Sequence, residues 1–356
     1  MFLPSDFRDL VSGRRRGVGA AVVRGLLGAV EVPYTMAVCR RNRRFDQGQL
    51  PIEWVGVPVV SVGNLTLGGT GKTPMVEWLA RWFHEQKVRV ALISRGYGAQ
   101  REGANDEALE LQRRLPDVPH VQDRDRVAAA KRAIEEFDCQ LILLDDAFQH
   151  RRIGRDLDIV LVDALEPFGF GHVFPRGTLR EAVGGLSRAD VVALSRADVL
   201  DHAGRKAVKD EVRRHAPEAL WLEVVHAPRR LVAADGGEQP LDMLRGRRVA
   251  AFCGIGNAAG FFYTLRCCGA ELLGFREFGD HHLYDQDDVD SLAAWATQLD
   301  ATAIVCTAKD LAKLSATQLG GRPLWALAIE LEIPAGQREL EMLLAPLAQR
   351  ALTTDN

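Results

Sequence analysis

The chain of 356 residues is 47% hydrophobic and 26% charged, a globular composition that excludes a disordered protein. Its net charge of -3 argues against a nucleic-acid binder, a class marked by strong basic excess. The six cysteines, at 39, 139, 253, 267, 268 and 306, have no C-x-x-C spacing and are too sparse for a secreted disulfide scaffold, so reduced thiols are expected.

Residues 1–50 stand apart: nine arginines against four acidic residues make the segment basic. Arg14, Arg15 and Arg16 precede a mostly apolar stretch from Gly17 to Cys39, and Arg40, Arg41, Arg43 and Arg44 follow it. The stretch is long enough to span a bilayer, which takes about 20 residues. Arg24 and Glu31 inside it would each cost roughly 2.5–3.5 kcal/mol at mid-span, and Pro33 is expected to break or kink a helix. An interfacial helix on an anionic membrane surface fits better. A helix packed on the domain and a cleaved signal peptide are the competing readings, and the second Arg run argues against cleavage.

Residues 57–62 (VPVVSV) read as a buried parallel strand, followed by GNLTLGGTGKTP and then a helical period through Val76, Leu79, Ala80 and Phe83. Strand, Gly-rich loop and helix form the context of a phosphate-binding loop. Thr66, Leu67, Gly68, Gly69, Thr70, Gly71, Lys72 and Thr73 are its expected nucleotide contacts. The glycines let backbone N–H groups approach phosphate oxygens, and the helix N-terminus adds its positive end. Lys72 is expected to reach the β- and γ-phosphates of ATP, and the Thr73 hydroxyl to bind Mg²⁺. Thr66 stands where the strict pattern has Gly.

LILL at 141–144 reads as a second buried strand, ending in Asp145 and Asp146. A strand with terminal acids downstream of such a loop is a Walker B candidate that holds Mg²⁺. In FQHRR, Arg151 and Arg152 are candidates for substrate phosphate or transition-state charge, or else a solvated pair bound to nearby acids. Further strands are expected at 88–93, 158–162 and 190–194, and a second set at 248–253, 271–275 and 303–306, with 227–246 as a linker. The alternation with helices predicts an α/β fold, a mostly parallel sheet with helices on both faces, plus a smaller α/β C-terminal domain. Boundaries follow at 1–50, 51–228 and 229–356, the last helix packing back on the first domain. RRVAAFCGIGNAAG, Arg247 to Gly260, mimics a dinucleotide fingerprint, but its spacing is loose and a tight strand–helix turn explains it.

Taken in order, VSVGNLTLGGTGKTP, SRGYG, DDAFQHRR, FPRGTLRE, CGIGN, GDHH and TAKDLAKL resemble the motifs of the tetraacyldisaccharide 4'-kinases, membrane-surface kinases of bacterial lipid A synthesis. The resemblance implies ATP-dependent phosphorylation of the 4'-hydroxyl of a tetraacylated glucosamine disaccharide that bears a 1-phosphate. It implies a peripheral place on the cytoplasmic face of the inner membrane, a lipid-linked disaccharide as partner and no obligate protein partner. It adds Arg180 to the basic candidates. It also implies a base, Asp106, partnered by His281, with Lys72 as the third catalytic residue. A positioned carboxylate that takes a sugar hydroxyl's proton is worth roughly 10²–10⁴-fold. Asn105, Ala147, Phe170 and Gly279 depart from the family's pattern. A membrane-associated P-loop ATPase acting as a switch or motor is the alternative.

Overall fold

The computed structural model describes residues 4–96, 111, 114–279, 282–314 and 316–353. Helices α1 (Pro4–Val11) and α2 (Val18–Asp46) open the chain. The helix runs through Pro33, against the expected break. Pro33 lies on the exposed side of the helix, and having no N–H it gives up one backbone hydrogen bond. The charges that argued against membrane insertion are turned inward. Arg24 donates to the Leu10 and Arg15 carbonyls, and Glu31 accepts from the Val173 amide at 2.7 Å.

Contacts divide the chain into two units, one of Met1–Ala104, Leu111–Val225 and Ile333–Asn356, the other chiefly His226–Glu332. In the first, β1 (Val59–Asn64), α3 (Lys72–Glu85), β2 (Val90–Ser94), β3 (His120–Gln122), α4 (Arg126–Phe137), β4 (Leu141–Asp145), β5 (Leu157–Asp163), β6 (Val191–Ser195), α5 (His202–His215) and the start of β7 (Leu220–Val232) follow in order. The strands lie in the order β3-β2-β4-β1-β5-β6-β7, all parallel. Every residue of β1, β4 and β5 is buried, as strands covered on both faces require. Ile142 and Leu144 pack with Val127, Ala130 and Ala133 of α4, and Val160 and Val162 with Val208 and Val212 of α5. The register Val59↔Ile142 and Gly63↔Val160 puts these residues on one face of the sheet. Residues of the other parity, such as Val60, Val62, Leu141 and Leu143, are buried as well, on the strands that α3 meets through Met75, Val76, Leu79 and Phe83. Each such side chain contributes about 1.5–3 kcal/mol on burial. The strand order reverses at β1, so the carboxyl ends of β1, β4 and β5 border the crevice where open α/β sheets bind ligands.

The second unit holds β8 (Glu238–Pro240), β9 (Arg248–Cys253), α6 (Ala258–Cys267), β10 (Glu271–Glu277), α7 (Gln286–Gln298), β11 (Ala303–Thr307), α8 (Ala308–Leu311), β12 (Gln318–Leu319) and most of β13 (Arg322–Ala335); α9 (Gln337–Thr353) then belongs to the first unit. Its parallel strands run β10-β9-β11-β13. The expected linker at 227–246 is instead the end of β7 and its antiparallel partner β8. Its charges are cross-strand partners: Arg229 pairs with Glu330 and Glu332, and Arg230 with Glu238 and Glu330. A run of charges reads as a solvated link, whereas here it is the wet face of a strand.

In the fingerprint-like turn after β9 the first amide is already taken by a side chain. Asp310, fully buried, accepts from the Gly254 amide at 2.9 Å, the Tyr284 hydroxyl at 2.9 Å and the Thr307 hydroxyl at 2.6 Å. The protein's own carboxylate therefore takes the first amide of the turn, and Asn257 caps α6 by accepting from Gly260 N at 2.9 Å.

Candidate active site

The loop after β1 starts α3 at Lys72, with Gly71 as its N-cap in the left-handed region at φ 86°. Gly68 is also left-handed, at φ 105°. Only glycine takes such angles freely, and successive turns of this kind aim backbone N–H groups into one concavity. The front of the loop is pinned by a distant segment. Leu67 N donates to the Thr178 carbonyl at 2.7 Å, and Arg180 N to the Leu65 carbonyl at 2.6 Å. Thr66 bridges to Leu179. The pairing that holds the loop thus delivers Arg180 beside it.

Lys72 Nζ lies 3.4 Å from Asp146 Oδ1 and 3.5 Å from Asn64 Oδ1, and Arg180 Nη1 donates to the same Asp146 oxygen at 2.7 Å. Burial would raise the Asp146 carboxyl, but Lys72 and Arg180 outweigh it and hold the group well below the ordinary carboxylate range. Asp146 is itself left-handed, at φ 51°, which costs a non-glycine residue about 1–2 kcal/mol. Its neighbour Ala147 is fully buried and not left-handed, so alanine at this position brings no backbone strain. Arg155 holds the turn closed by donating to the Ala147, Phe148 and His150 carbonyls, while Asp158 accepts from it at 2.6 Å. Gln149 Nε2 ties the turn to the Asn64 carbonyl at 2.9 Å.

Thr73 is buried at the first turn of α3 and Asp145 at the end of β4. Arg126 at the start of α4 is buried too, and its charge acts on both Asp146 and Asp145. Among the described residues no three His, Cys, Asp or Glu side chains gather to hold a metal on their own. The other basic candidates go elsewhere. Arg151 donates to Asp46 at 2.7 Å and to the Asn42 carbonyl at 2.9 Å, clamping the end of α2. Arg152 pairs with Glu53 and Asp125 at 3.3 Å each. Asp106 and His281 lie outside the described residues. The adjoining His282 is described: its Nε2 bonds Asp288 at 2.7 Å, its ring stacks on Phe278, and Lys313 donates to its carbonyl.

The model of the family described as "Tetraacyldisaccharide-1-P 4'-kinase" matches residues 23–348. The chain belongs to the tetraacyldisaccharide 4'-kinase family. A member from Halothermothrix orenii is 34% identical over 341 residues, 88% of each chain, and one from Anaeromyxobacter dehalogenans 37% identical over 352 residues, 93% of this chain and 92% of that one. The structure of LpxK from Aquifex aeolicus in complex with ATP matches with a TM-score of 0.70 at 27% identity, covering 91% of this chain and 99% of that one.

Within this kinase, sequence reasoning passed over several residues that shape the site. Asn64 ends β1, accepts from Lys72 and donates to the Thr66 carbonyl at 2.8 Å. Glu181, 2% exposed, gathers Arg188, Gln149 and Asn42 behind Arg180. Asp163 and Arg196, at the ends of β5 and β6, form a buried pair that reaches the loop. For Asn64, Asp163 and Arg196 the signal available was positional, since each ends or directly follows an apolar strand; Glu181 follows none.

Proposed function

We infer that the chain moves the γ-phosphate of ATP onto the 4'-hydroxyl of a tetraacylated glucosamine disaccharide 1-phosphate, the reaction of its family. The observation that carries the site assignment is the convergence of Lys72 and Arg180 on one oxygen of Asp146, beside the phosphate loop. Two cations fixed on a shared counter-ion are ready to turn to the γ-phosphoryl group. There they offset charge as it spreads over the transferring oxygens, and a preorganised donor of this kind is worth roughly 10²–10³ in rate. The hydroxyl oxygen attacks the γ-phosphorus, the bond to the β-phosphate oxygen breaks, and ADP leaves with that electron pair. Asp106, oriented by His281, takes the hydroxyl proton; these two roles rest on the motif resemblance.

Thr73, Asp145 and Asp146 are the residues that would hold Mg²⁺. They fit a hard cation, with a hydroxyl at the start of α3 and a carboxylate kept ionised by its neighbours. Such ions take one or two carboxylates and complete their shell with phosphates and water. Held there, Mg²⁺ would supply positive charge that offsets the negative charge of the nucleotide's phosphates.

The membrane reading is supported by α2. Its inner side meets the first unit through Glu31, Asn42 and Phe45. Val22, Leu26, Val30 and Met36 are exposed on the outside, followed by exposed Arg40, Arg43 and Arg44. This helix is long and apolar enough to span a membrane, but its polar contacts tie it along the kinase unit. A peripheral helix on an anionic, cytoplasm-facing leaflet uses both features, with about 1 kcal/mol per surface arginine.

The test is a labelled-ATP transfer assay with the disaccharide lipid in detergent. Label enters lipid one for one with ADP formed, and Asp106→Ala loses transfer far more than ATP binding. Steady ATP consumption without acceptor overturns the kinase reading in favour of a switch ATPase. For the membrane, Leu26→Glu with Val30→Glu abolishes sedimentation with anionic vesicles while ATP affinity holds. Unchanged sedimentation removes α2 from the interface.

A further inference from the structure

We propose that Arg196 is a positioning residue for nucleotide phosphate, acting by fixing the orientation of one peptide of the phosphate loop. The proposal rests on the ATP-binding reading above and goes beyond it to a residue outside the loop.

Arg196 directly follows β6 and is 7% exposed. The register Asp163↔Ser195 of β5 and β6 brings Asp163 beside it. Its Nε donates to Asp163 Oδ1 at 3.0 Å and its Nη2 to Oδ2 at 2.5 Å, the two-pronged fit of guanidinium to carboxylate. Asp163 is held in turn, since its Oδ1 also accepts from Leu165 N at 3.1 Å. With one edge of the guanidinium fixed, Nη2 also donates to the Gly69 carbonyl at 3.0 Å. The backbone of Arg196 is left-handed, at φ 57°. That conformation is unfavourable for a residue with a β-carbon and persists only where its surroundings demand it.

The consequence follows from peptide geometry. The bond between Gly69 and Thr70 is planar and trans, so its C=O and N–H point in opposite directions. Holding the carbonyl on Arg196 turns the Thr70 N–H away from β6. Thr70 is 2% exposed, and its Oγ1 has no hydrogen-bond partner among the described residues. A buried hydroxyl without a partner in a phosphate loop is ready for a ligand oxygen. The front of the loop is already tied by Thr178 and Arg180, so Arg196 supplies the anchor for its second half. Without that anchor the peptide can rotate and offer its carbonyl, a repulsive partner, to the phosphate.

Calorimetric titration of the full chain with ATP, ADP and adenosine tests this. Arg196→Gln is expected to weaken ATP and ADP at least tenfold and to leave adenosine within twofold. Asp163→Asn moves the same way by a smaller factor. Millimolar methylguanidinium restores part of the lost affinity to Arg196→Ala. A general loss of structure instead weakens all three ligands together and is not rescued. If Arg196→Gln does not fold, as judged by its melting transition, Arg196→Lys and Asp163→Asn are read by the same criterion. ATP and ADP affinities within twofold of the parent, or an equal loss for adenosine, overturn the proposal. Failure of the parent chain to bind ATP instead overturns the kinase reading itself.

Discussion

A single methyl group at Gly63 offers a sharp test of how the site is held. A Cβ there would lie 2.5 Å from Phe148 Cβ and 2.8 Å from Phe148 N. Carbon atoms rest about 3.5–4.0 Å apart, so the overlap is about 1 Å. β1 cannot retreat, because it is hydrogen-bonded to β4 on one side and β5 on the other. The turn from Asp145 to Phe148 must move instead, carrying Asp146 away from Lys72 and Arg180. Overpacking of this kind costs about 1–3 kcal/mol, and a 1 Å misplacement of a catalytic group costs on the order of 10²-fold in rate. Gly63→Ala is therefore expected to fold, with its urea midpoint lowered, and to lose kcat about 10²-fold in the lipid transfer assay. ATP affinity changes less, since Gly68, Gly69 and Gly71 are untouched. Parent-like kcat in a protein that carries the stability loss would falsify the idea that the packing of this turn sets the catalytic geometry.

Arg180→Met should lower kcat by about 10²–10³-fold, the cost of one lost transition-state donor. It should also let the Asp146 carboxyl rise. In the parent that group is held below its ordinary 3.8, so its share of stability is complete above that pH and is lost only as pH falls further. In the variant the folded-state value lies closer to 3.8, so this share of stability is smaller and its loss is complete at a higher pH, visible in acid melts. Arg151→Ala should instead cost about 1 kcal/mol of stability, from one ion pair and its stacking on Phe45, with kcat near normal; a large kcat loss would return Arg151 to the phosphate site. His150 is pushed down from 6.5 to about 4 by burial and by Arg126, Arg155 and Arg152. The unfolded chain then binds the proton first, so this histidine's share of stability is complete above pH 6.5 and is lost as pH falls toward 4. His150→Gln should flatten that window in urea titrations, and an NMR titration of the parent ring near 6.5 would contradict the reasoning. Phe170 is left-handed at φ 59° and 37% exposed. Phe170→Asn should raise the urea midpoint by an amount equivalent to about 1 kcal/mol, because Asn tolerates that backbone; a lowered midpoint would mean that the ring is packed to advantage.

Much of the architecture was legible in the chain. Apolar runs ending in Asn64, Asp145, Asp163 and Ser195 identify parallel strands with polar tips, and the run from Gly68 to Thr73 identifies the loop between β1 and α3. The long strands β7 and β13 were not found, because Arg229, Arg230, Glu330 and Glu332 interrupt their apolar pattern and look like solvent-facing links. Their pairing supplies the partners that a linear pattern cannot display. Pro33 misled for the opposite reason: a local rule against proline in helices was overridden where α2 rests on the kinase unit along its other side.

By itself the sequence determined the family and located the Gly-rich loop between β1 and α3 and the acids at the end of β4, since these depend on residue types at fixed short spacing. Which of three arginines attends the site was decided only by the tertiary structure. Arg151 and Arg152 are five or six residues from Asp146 yet bind Asp46 and Glu53, while Arg180, thirty-four positions away, lies 2.7 Å from its carboxylate. The same holds for Arg196, which reaches Gly69 across 127 positions. Charged side chains act over a few ångströms of space, and strand register, not chain distance, sets which ones share that space.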